Sequence, residues 1–303
     1  MALSVYNIRK WYRMLTGSSI YHVAQDVGKC FSLDGVKGYY NDLTSKVTKL
    51  PMLLDTDILP RFKTASGQDV DFPVEIIQYG LGAYDMYVLT GESSYYTKFM
   101  QTVEWAMKNQ AADGSWNNFF FIYPKHPYGA MVQGEGASLL VRAYIESGEQ
   151  QYLEASKQAL DFMLKPIEEG GTTAYTDKGP ILMEYTHLPA VLNGWIFAWW
   201  GLYDYVKATN DITLYHQVLE QSCETLVQML PQFTNSFWSM YDCGGHIASP
   251  HYQTIHVAQM QAMYSLTGRT DFADYAVRWQ RFQQNPFNKY RAFFYKAYQK
   301  IIE

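Results

Sequence analysis

LGAYDMYVLTGESSYYTKFMQTVEWAMKNQ, residues 81–110, carries the pattern from which the fold can be worked out. An apolar run with helical spacing ends at Thr90. Gly91 stands where a left-handed C-cap belongs, and a second helical run follows at once. The same punctuation recurs at Ser147-Gly148, Thr209-Asn210 and Thr267-Gly268, at steps of 57, 62 and 58 residues. In three units a Tyr precedes the Gly by four residues (Tyr87, Tyr144, Tyr264), and in all four an aromatic follows the cap (Tyr95, Tyr152, Tyr215, Phe272). A lone helical hairpin cannot bury its apolar face, so such units must stack on one another or close into a ring. The expectation is a mainly α chain, an incomplete α/α toroid of about four hairpins over residues 71–303. An N-terminal arm, residues 1–70, precedes it, with short strands and a β-hairpin turning at Ala65-Ser66-Gly67-Gln68. An open α-solenoid used only for binding is the alternative, because repeats do not by themselves imply catalysis.

Composition narrows the function. Charged residues make up only 17% of the 303, and 26 Tyr, 16 Phe and 8 Trp stand in their place. Rings with polar tips suit wet clefts and the stacking of sugar faces. A net charge of −5 argues against nucleic acid or an anionic membrane as partner, although a local basic cleft for an acidic polymer fits inside that total. Cys30, Cys223 and Cys243 are odd in number and far apart, which gives no disulfide framework and fits a reducing compartment. The opening MALSVYNIRKWYRML is interrupted by Arg9, Lys10 and Arg13 and lacks the continuous apolar core of a signal peptide. No stretch reaches the roughly 18 uninterrupted apolar residues of a membrane span. A cytoplasmic protein without membrane insertion is therefore expected.

In a toroid, one set of helix ends lines the cleft, so the segments just before each repeat's first helix are where chemistry should collect. Those segments read FFFIYPKHPYGAMVQGEGASLLVRAY, ILMEYTHLPAVLNGWIFAWWGLYDY and WSMYDCGGHIASPHYQTIHVAQM, and all three carry Tyr and His. Metal-ligand spacings are absent, so no metal is expected, and GxSxG, P-loop and dinucleotide fingerprints are missing too. What remains is a constellation of Tyr, Glu and His. Any single member reads equally well as a core ring or a structural imidazole; their clustering at equivalent repeat ends is what points to a site.

DFPVEIIQYGLGAYD, PYGAMVQGEGASLLVRAY, EYTHLPAVLNGWIFAWWGLYDY, LVQMLPQF followed by SMYD, and HYQTIHVAQMQ resemble, in order, the C-terminal helical domain of the glucuronyl C5-epimerases that act on heparosan and heparan-type chains. The arm's GYYNDLTSK resembles the start of compact bacterial-type members. The resemblance implies an isomerase without an organic cofactor, acting on an acidic polysaccharide of the heparosan type, and a homodimer. It puts the family's catalytic Glu-Tyr pair on Glu184 and Tyr185 and a further catalytic Tyr on Tyr252, with a block-ending His on His256. Tyr241 matches the family's Tyr-Asp-Leu-Arg motif, but Gly244 stands where that motif has its Arg. The cation for the acidic sugar is therefore sought among Arg142, His246, His251, Lys125 and Arg61. Tyr128 and the arm's Tyr40 complete the expected substrate contacts. The tail RWQRFQQNPFNKYRAFFYKAYQK is rich enough in aromatics to cover either a second copy or its own toroid.

Inverting C5 of a D-glucuronate to give L-iduronate means removing a weakly acidic proton α to a carboxylate on one ring face and returning one to the other. Two groups must flank the carbon. A Tyr, with a reference pKa of about 10, acts as base only where its phenolate is favoured, while a raised-pKa Glu or a neutral Tyr supplies a proton. Donors aimed at the carboxylate must hold the developing enediolate, a role open to His256, Tyr241 or Tyr128. A lyase acting on uronate-containing glycan would use the same first step and then expel the 4-linked sugar. A non-catalytic polysaccharide-binding cleft is the rival from another class. A glycoside hydrolase needs two flanking carboxylates, and Glu135 is the only evident partner for Glu184.

Overall fold

The computed structural model describes residues 23–302 apart from residue 65. The charged opening stretch and Ala65 of the expected turn lie outside the described residues. Four helical hairpins follow one another: α2 (Pro73–Thr90) with α3 (Ser93–Asn109), α4 (Ala130–Ser147) with α5 (Gln150–Leu164), α6 (Leu192–Thr209) with α7 (Leu214–Met229), and α8 (Pro250–Thr267) with α9 (Thr270–Gln284). The first helix of each pair ends on a left-handed residue, Gly91, Gly148, Asn210 or Gly268, with φ of 75°, 73°, 52° and 69°. Only Gly, or an Asn at modest cost, takes this conformation freely, which is why the caps were the readable punctuation.

Burial separates the helices into two layers. α6 is buried on every side over Leu192–Leu202, the mark of an inner helix, whereas α3 buries Lys98, Phe99, Thr102, Val103 and Ala106 along one stripe. The inner helices pack in sequence, α2 on α4, α4 on α6 and α6 on α8, leaving the arc open between the first and the last. α4 and α6 cross closely because Gly134 and Gly201 face each other; a Cβ on Gly201 would lie 2.1 Å from the Gly134 carbonyl oxygen. The fold is thus an incomplete α/α toroid. Among the described residues no helix is long and apolar enough to cross a membrane.

The arm combines a hairpin with a short helix. Its hairpin is present, β1 (Phe62–Lys63) pairing with β2 (Asp69–Val70) and closed by Thr64 N–H donating to the Gln68 carbonyl at 2.8 Å. Upstream the chain forms a short helix α1 (Thr44–Thr48), and Tyr39, Tyr40, Leu43 and Val47 lie buried in the same core as α2, α4 and α6. A second hairpin, β3 (Thr173–Thr176) with β4 (Gly179–Leu182), leads into the loop that carries Glu184. The tail forms α10 (Pro286–Ile302), which docks on the loop before α8 through Gln299: its amide nitrogen donates to the Gly245 carbonyl, and its amide oxygen accepts from Ile247 N–H.

Candidate active site

Strand β4 ends at Leu182, so Glu184 and Tyr185 sit in a loop rather than a pleat and are free to face the same way. Met183 anchors that loop, accepting from Ala130 N–H at 2.8 Å and donating to the Thr172 carbonyl at 2.9 Å. The loop's far end pairs with another: Val191 bridges Asp242, Leu192 N–H donates to the Tyr241 carbonyl and Cys243 N–H to the Ala190 carbonyl. Tyr241 is thereby brought beside Tyr185. Asp242 stiffens its own turn, accepting from the Gly244 and His246 amides and from His246 Nδ1 at 2.6 Å. Tyr252 enters from the first turn of α8, where Pro250 occupies a first-turn position and Ser249 caps the helix by accepting from Tyr252 N–H at 3.3 Å. The Tyr241 and Tyr252 rings meet edge to face, with centroids 4.8 Å apart.

These residues sense one another electrostatically. Burial pushes the Glu184 carboxyl up to about 7, with a hydrogen bond from Tyr185 pulling it partly back. Burial, then the charge of Glu184, raises the phenols of Tyr185 and Tyr241, and likewise that of Tyr252. The polar tip of Tyr241 eases both Tyr185 and Tyr252, lowering each in part. In the free protein the three phenols are therefore neutral, and the group poised to change charge near neutrality is Glu184. Glu184 is only 6% exposed and its Oε2 has no hydrogen-bond partner. It lies so close to α6 that a Cβ on Gly194 would stand 2.2 Å from that oxygen.

Three further residues, Glu75, Lys46 and Lys296, stand beside the cluster. Glu75, in the first turn of α2, adds to the upward pull on Tyr252 and is paired with Lys46 at 2.6 Å. Lys46 and Glu75 form the polar wall of a groove of about 290 Å³ between the arm and α2, which Arg61 also lines. Lys296 of α10 stands 5.5 Å from the Tyr241 ring centroid. Neither lysine belongs to a repeat end: Lys46 lies in the arm and Lys296 in the tail, where the repeat period carries no signal.

Other expected site residues fall elsewhere. Arg142 is fully buried and engaged: Nη1 donates to Asp204 at 2.6 Å and to the Ser138 carbonyl, and Nε donates to the Gly38 carbonyl at 3.0 Å. Tyr40 donates to the other oxygen of Asp204 at 2.5 Å. Both are removed from substrate binding, because no donor of either faces a cleft. His256 is corrected as well. Ser239 Oγ must donate to Gln253 Oε1, which can only accept, so His256 Nδ1 carries a proton and donates to Ser239 at 2.8 Å. Burial holds the imidazole neutral, its pKa down at about 3, and the buried Nε2 then offers a lone pair, not the proton an enediolate needs. Tyr128 is half-buried against Phe162, adjacent to the Gly129 that abuts the Glu184 carbonyl. His251 packs its ring on Tyr252, with centroids 5.2 Å apart. Of the remaining cation candidates, His246 is held by Asp242, Arg61 is 3.2 Å from Asp71, and Lys125 is exposed.

The profile of the D-glucuronyl C5-epimerase C-terminus family matches residues 101–281, from within α3 to within the last turn of α9 and more than half of the chain. This chain belongs to that family. It is 24% identical over 209 residues to a D-glucuronyl C5-epimerase of Caenorhabditis elegans, covering 60% of this chain and 34% of that protein. An uncharacterized protein of Methanocaldococcus jannaschii is 29% identical over 157 residues, covering 50% of this chain and 51% of the relative. The chain thus spans about half of one curated relative's length and about a third of the other's. Among solved structures, cellobiose 2-epimerase from Spirochaeta thermophila superposes with a TM-score of 0.51 at 10% identity, covering 91% of this chain and 84% of that one, a likeness of fold alone. The Glu184–Tyr185–Tyr241–Tyr252 cluster lies wholly inside the family match.

Glu135 tests the burial argument. It is fully buried, Oε1 accepts from Gln78 Nε2 at 2.8 Å, and Oε2 has no partner. Burial raises its pKa to about 8. The folded protein keeps this proton up to that pH, whereas the unfolded chain loses it near 4.5. Stability from this group is therefore present below about pH 4.5 and lost as pH rises through 8. Glu135→Gln should raise the melting temperature relative to wild type at pH 9, by on the order of 2–4 kcal/mol in stability, and leave it nearly unchanged at pH 4. Equal melting temperatures at pH 9 would show that the carboxylate is solvated. A carboxyl so placed is also a poor flanking acid for glycoside hydrolysis.

Proposed function

We propose that this protein inverts C5 of D-glucuronate to L-iduronate within a heparosan or N-sulfoheparosan-type chain, by abstraction of the C5 proton on one ring face and protonation on the other. The observation that carries the proposal is the convergence of a poised carboxyl, Glu184, with three neutral phenols from two different hairpins, inside the segment that matches the epimerase family. Glu184 is the base: ionised above about pH 7, it takes the C5 proton, and the electron pair moves onto the sugar carboxylate as an enediolate. Tyr252, coming from the next repeat, is the acid that returns a proton to the opposite face. Tyr241 is coupled to both Tyr185 and Tyr252, so the charge created when one phenol gives up its proton is felt by all three. Lys296 takes the place of Arg142 as the cation for the acidic sugar.

Incubation with heparosan in heavy water should place deuterium at C5 of the uronates and yield iduronate. Absence of exchange on both heparosan and its N-sulfated form would rule the proposal out, and an ultraviolet-absorbing unsaturated uronate with falling chain length would identify a lyase instead. A homodimer belongs to the same proposal, supported by the exposed Phe287, Tyr290, Phe294 and Tyr298 on α10. Light scattering at micromolar concentration decides it, a particle of 35.0 kDa being the contrary result.

A further inference from the structure

From Tyr185 a run of rings leads out of the site. Phe119 stacks on Tyr185 with centroids 4.6 Å apart, Tyr123 meets Tyr185 edge-on at 5.7 Å, His187 meets Tyr123 at 4.7 Å, and His126 stacks on His187 at 4.2 Å with 19° between the planes. Both imidazoles are exposed. The loop carrying His126 is folded on itself by backbone hydrogen bonds of 2.8 Å from Phe119 to Pro127, from Tyr123 to Phe119 and from His126 to Tyr123. The bond from Ala130 N–H to the Met183 carbonyl ties that loop to the one carrying His187. The imidazole pair thus stands at a fixed offset from Tyr185, two residues along the chain from His187.

Two stacked imidazoles resist carrying charge together. Burial and then the neighbouring His126 lower the pKa of His187. The groups that face the pair are the Tyr123 ring beneath it and Tyr185 behind that, and Lys125, next to His126 in the loop, is exposed. These neighbours supply no anion, so an anionic group from a ligand is the counter-charge the pair lacks. Tyr123 offers a ring face on which a pyranose can stack.

We propose that His126, His187 and Tyr123 form a subsite for the acidic sugar unit next to the one held at Glu184, with the two imidazoles gripping its carboxylate or sulfate. This rests on the proposed substrate class but not on turnover, so direct binding tests it separately. Wild-type protein should bind a heparosan octasaccharide about threefold to tenfold more tightly at pH 6 than at pH 8, as befits exposed ion pairs. The His126→Phe/His187→Phe double variant keeps the rings and should narrow that ratio, with KM for epimerisation raised at pH 6 and kcat unchanged; the remaining pH dependence, which comes from Glu184 ionising near 7, should vanish when Glu184→Gln is added. A carboxyl-reduced octasaccharide should show no pH preference with either protein. A larger pH 6 gain for the N-sulfated octasaccharide than for heparosan would assign the grip to sulfate, and an equal gain to carboxylate. The proposal is overturned if the double variant retains the wild-type ratio of affinities, or if kcat falls while KM holds. Binding that shows the expected pattern without C5 exchange would keep the subsite and discard the epimerase reading; exchange with unaltered binding in the variant would do the reverse.

Discussion

Glu184→Gln and Tyr252→Phe are each expected to abolish net C5 inversion, with rates lowered by about 10² to 10⁴, the usual cost of removing a positioned proton-transfer group. The two losses should differ in kind. Without Glu184 no group takes the proton, so deuterium incorporation should vanish with inversion. Tyr252→Phe leaves Glu184 in place, and solvent hydrogen can still exchange at C5 from the Glu184 face without inversion. Tyr185→Phe removes the hydroxyl that holds the Glu184 pKa down and is coupled to Tyr241, so it too should abolish inversion. In wild type, kcat/KM should rise as pH increases through about 7, following ionisation of a carboxyl whose pKa is raised above its ordinary 4.5. That limb should be missing from whatever activity Glu184→Gln retains. A drop of less than about tenfold in both Tyr variants would place the acid elsewhere, with Tyr128 and Tyr123 the next phenols to substitute.

The toroid was legible because a helical hairpin needs a left-handed residue at its apex, and few residue types accept that backbone. The site was legible only in part. Glu184, Tyr185 and Tyr252 were assigned through resemblance, but their meeting depends on the pairing of residues 190–192 with 241–243, a long-range contact that leaves no periodic trace. His256 shared a helix start with Tyr252 and so looked equally available, yet one turn further along an inner helix it is already in the core. Lys46 and Lys296 come from the arm and the tail, outside the repeats, where the period says nothing. The misplacement of Arg142 has a different origin, because its signal was present and unread. Counting back six residues from each cap gives Asp85, Arg142, Asp204 and Ala262. Three of the four equivalent positions on the inner helices are ionisable, acid, base and acid in turn, which marks a buried polar layer deeper in the toroid than the helix starts that carry the site.

That layer carries the largest stability effect expected in the molecule. Arg142 and Asp204 are both fully buried, and Arg142 also offsets part of the burial penalty on Asp85, whose carboxyl is pushed up to about 8. The guanidinium holds the arm as well, through the Gly38 carbonyl and by lying 5.2 Å from the Tyr39 ring centroid and 5.8 Å from that of Tyr40. Arg142→Met keeps much of the apolar volume but leaves Asp204 to the hydroxyls of Tyr40 and Ser138. Removing one partner of a buried pair costs roughly 3–5 kcal/mol. In a protein of this size that corresponds to a fall of about 10 °C in melting temperature. Arg142→Met combined with Asp204→Leu removes both charges together, and much of the loss should return, because the unpaired carboxylate is the main cost. At a temperature where Arg142→Met remains folded, its KM for an acidic polysaccharide should match wild type, since the side chain faces the core. A raised KM with an unchanged melting temperature would instead return Arg142 to the substrate.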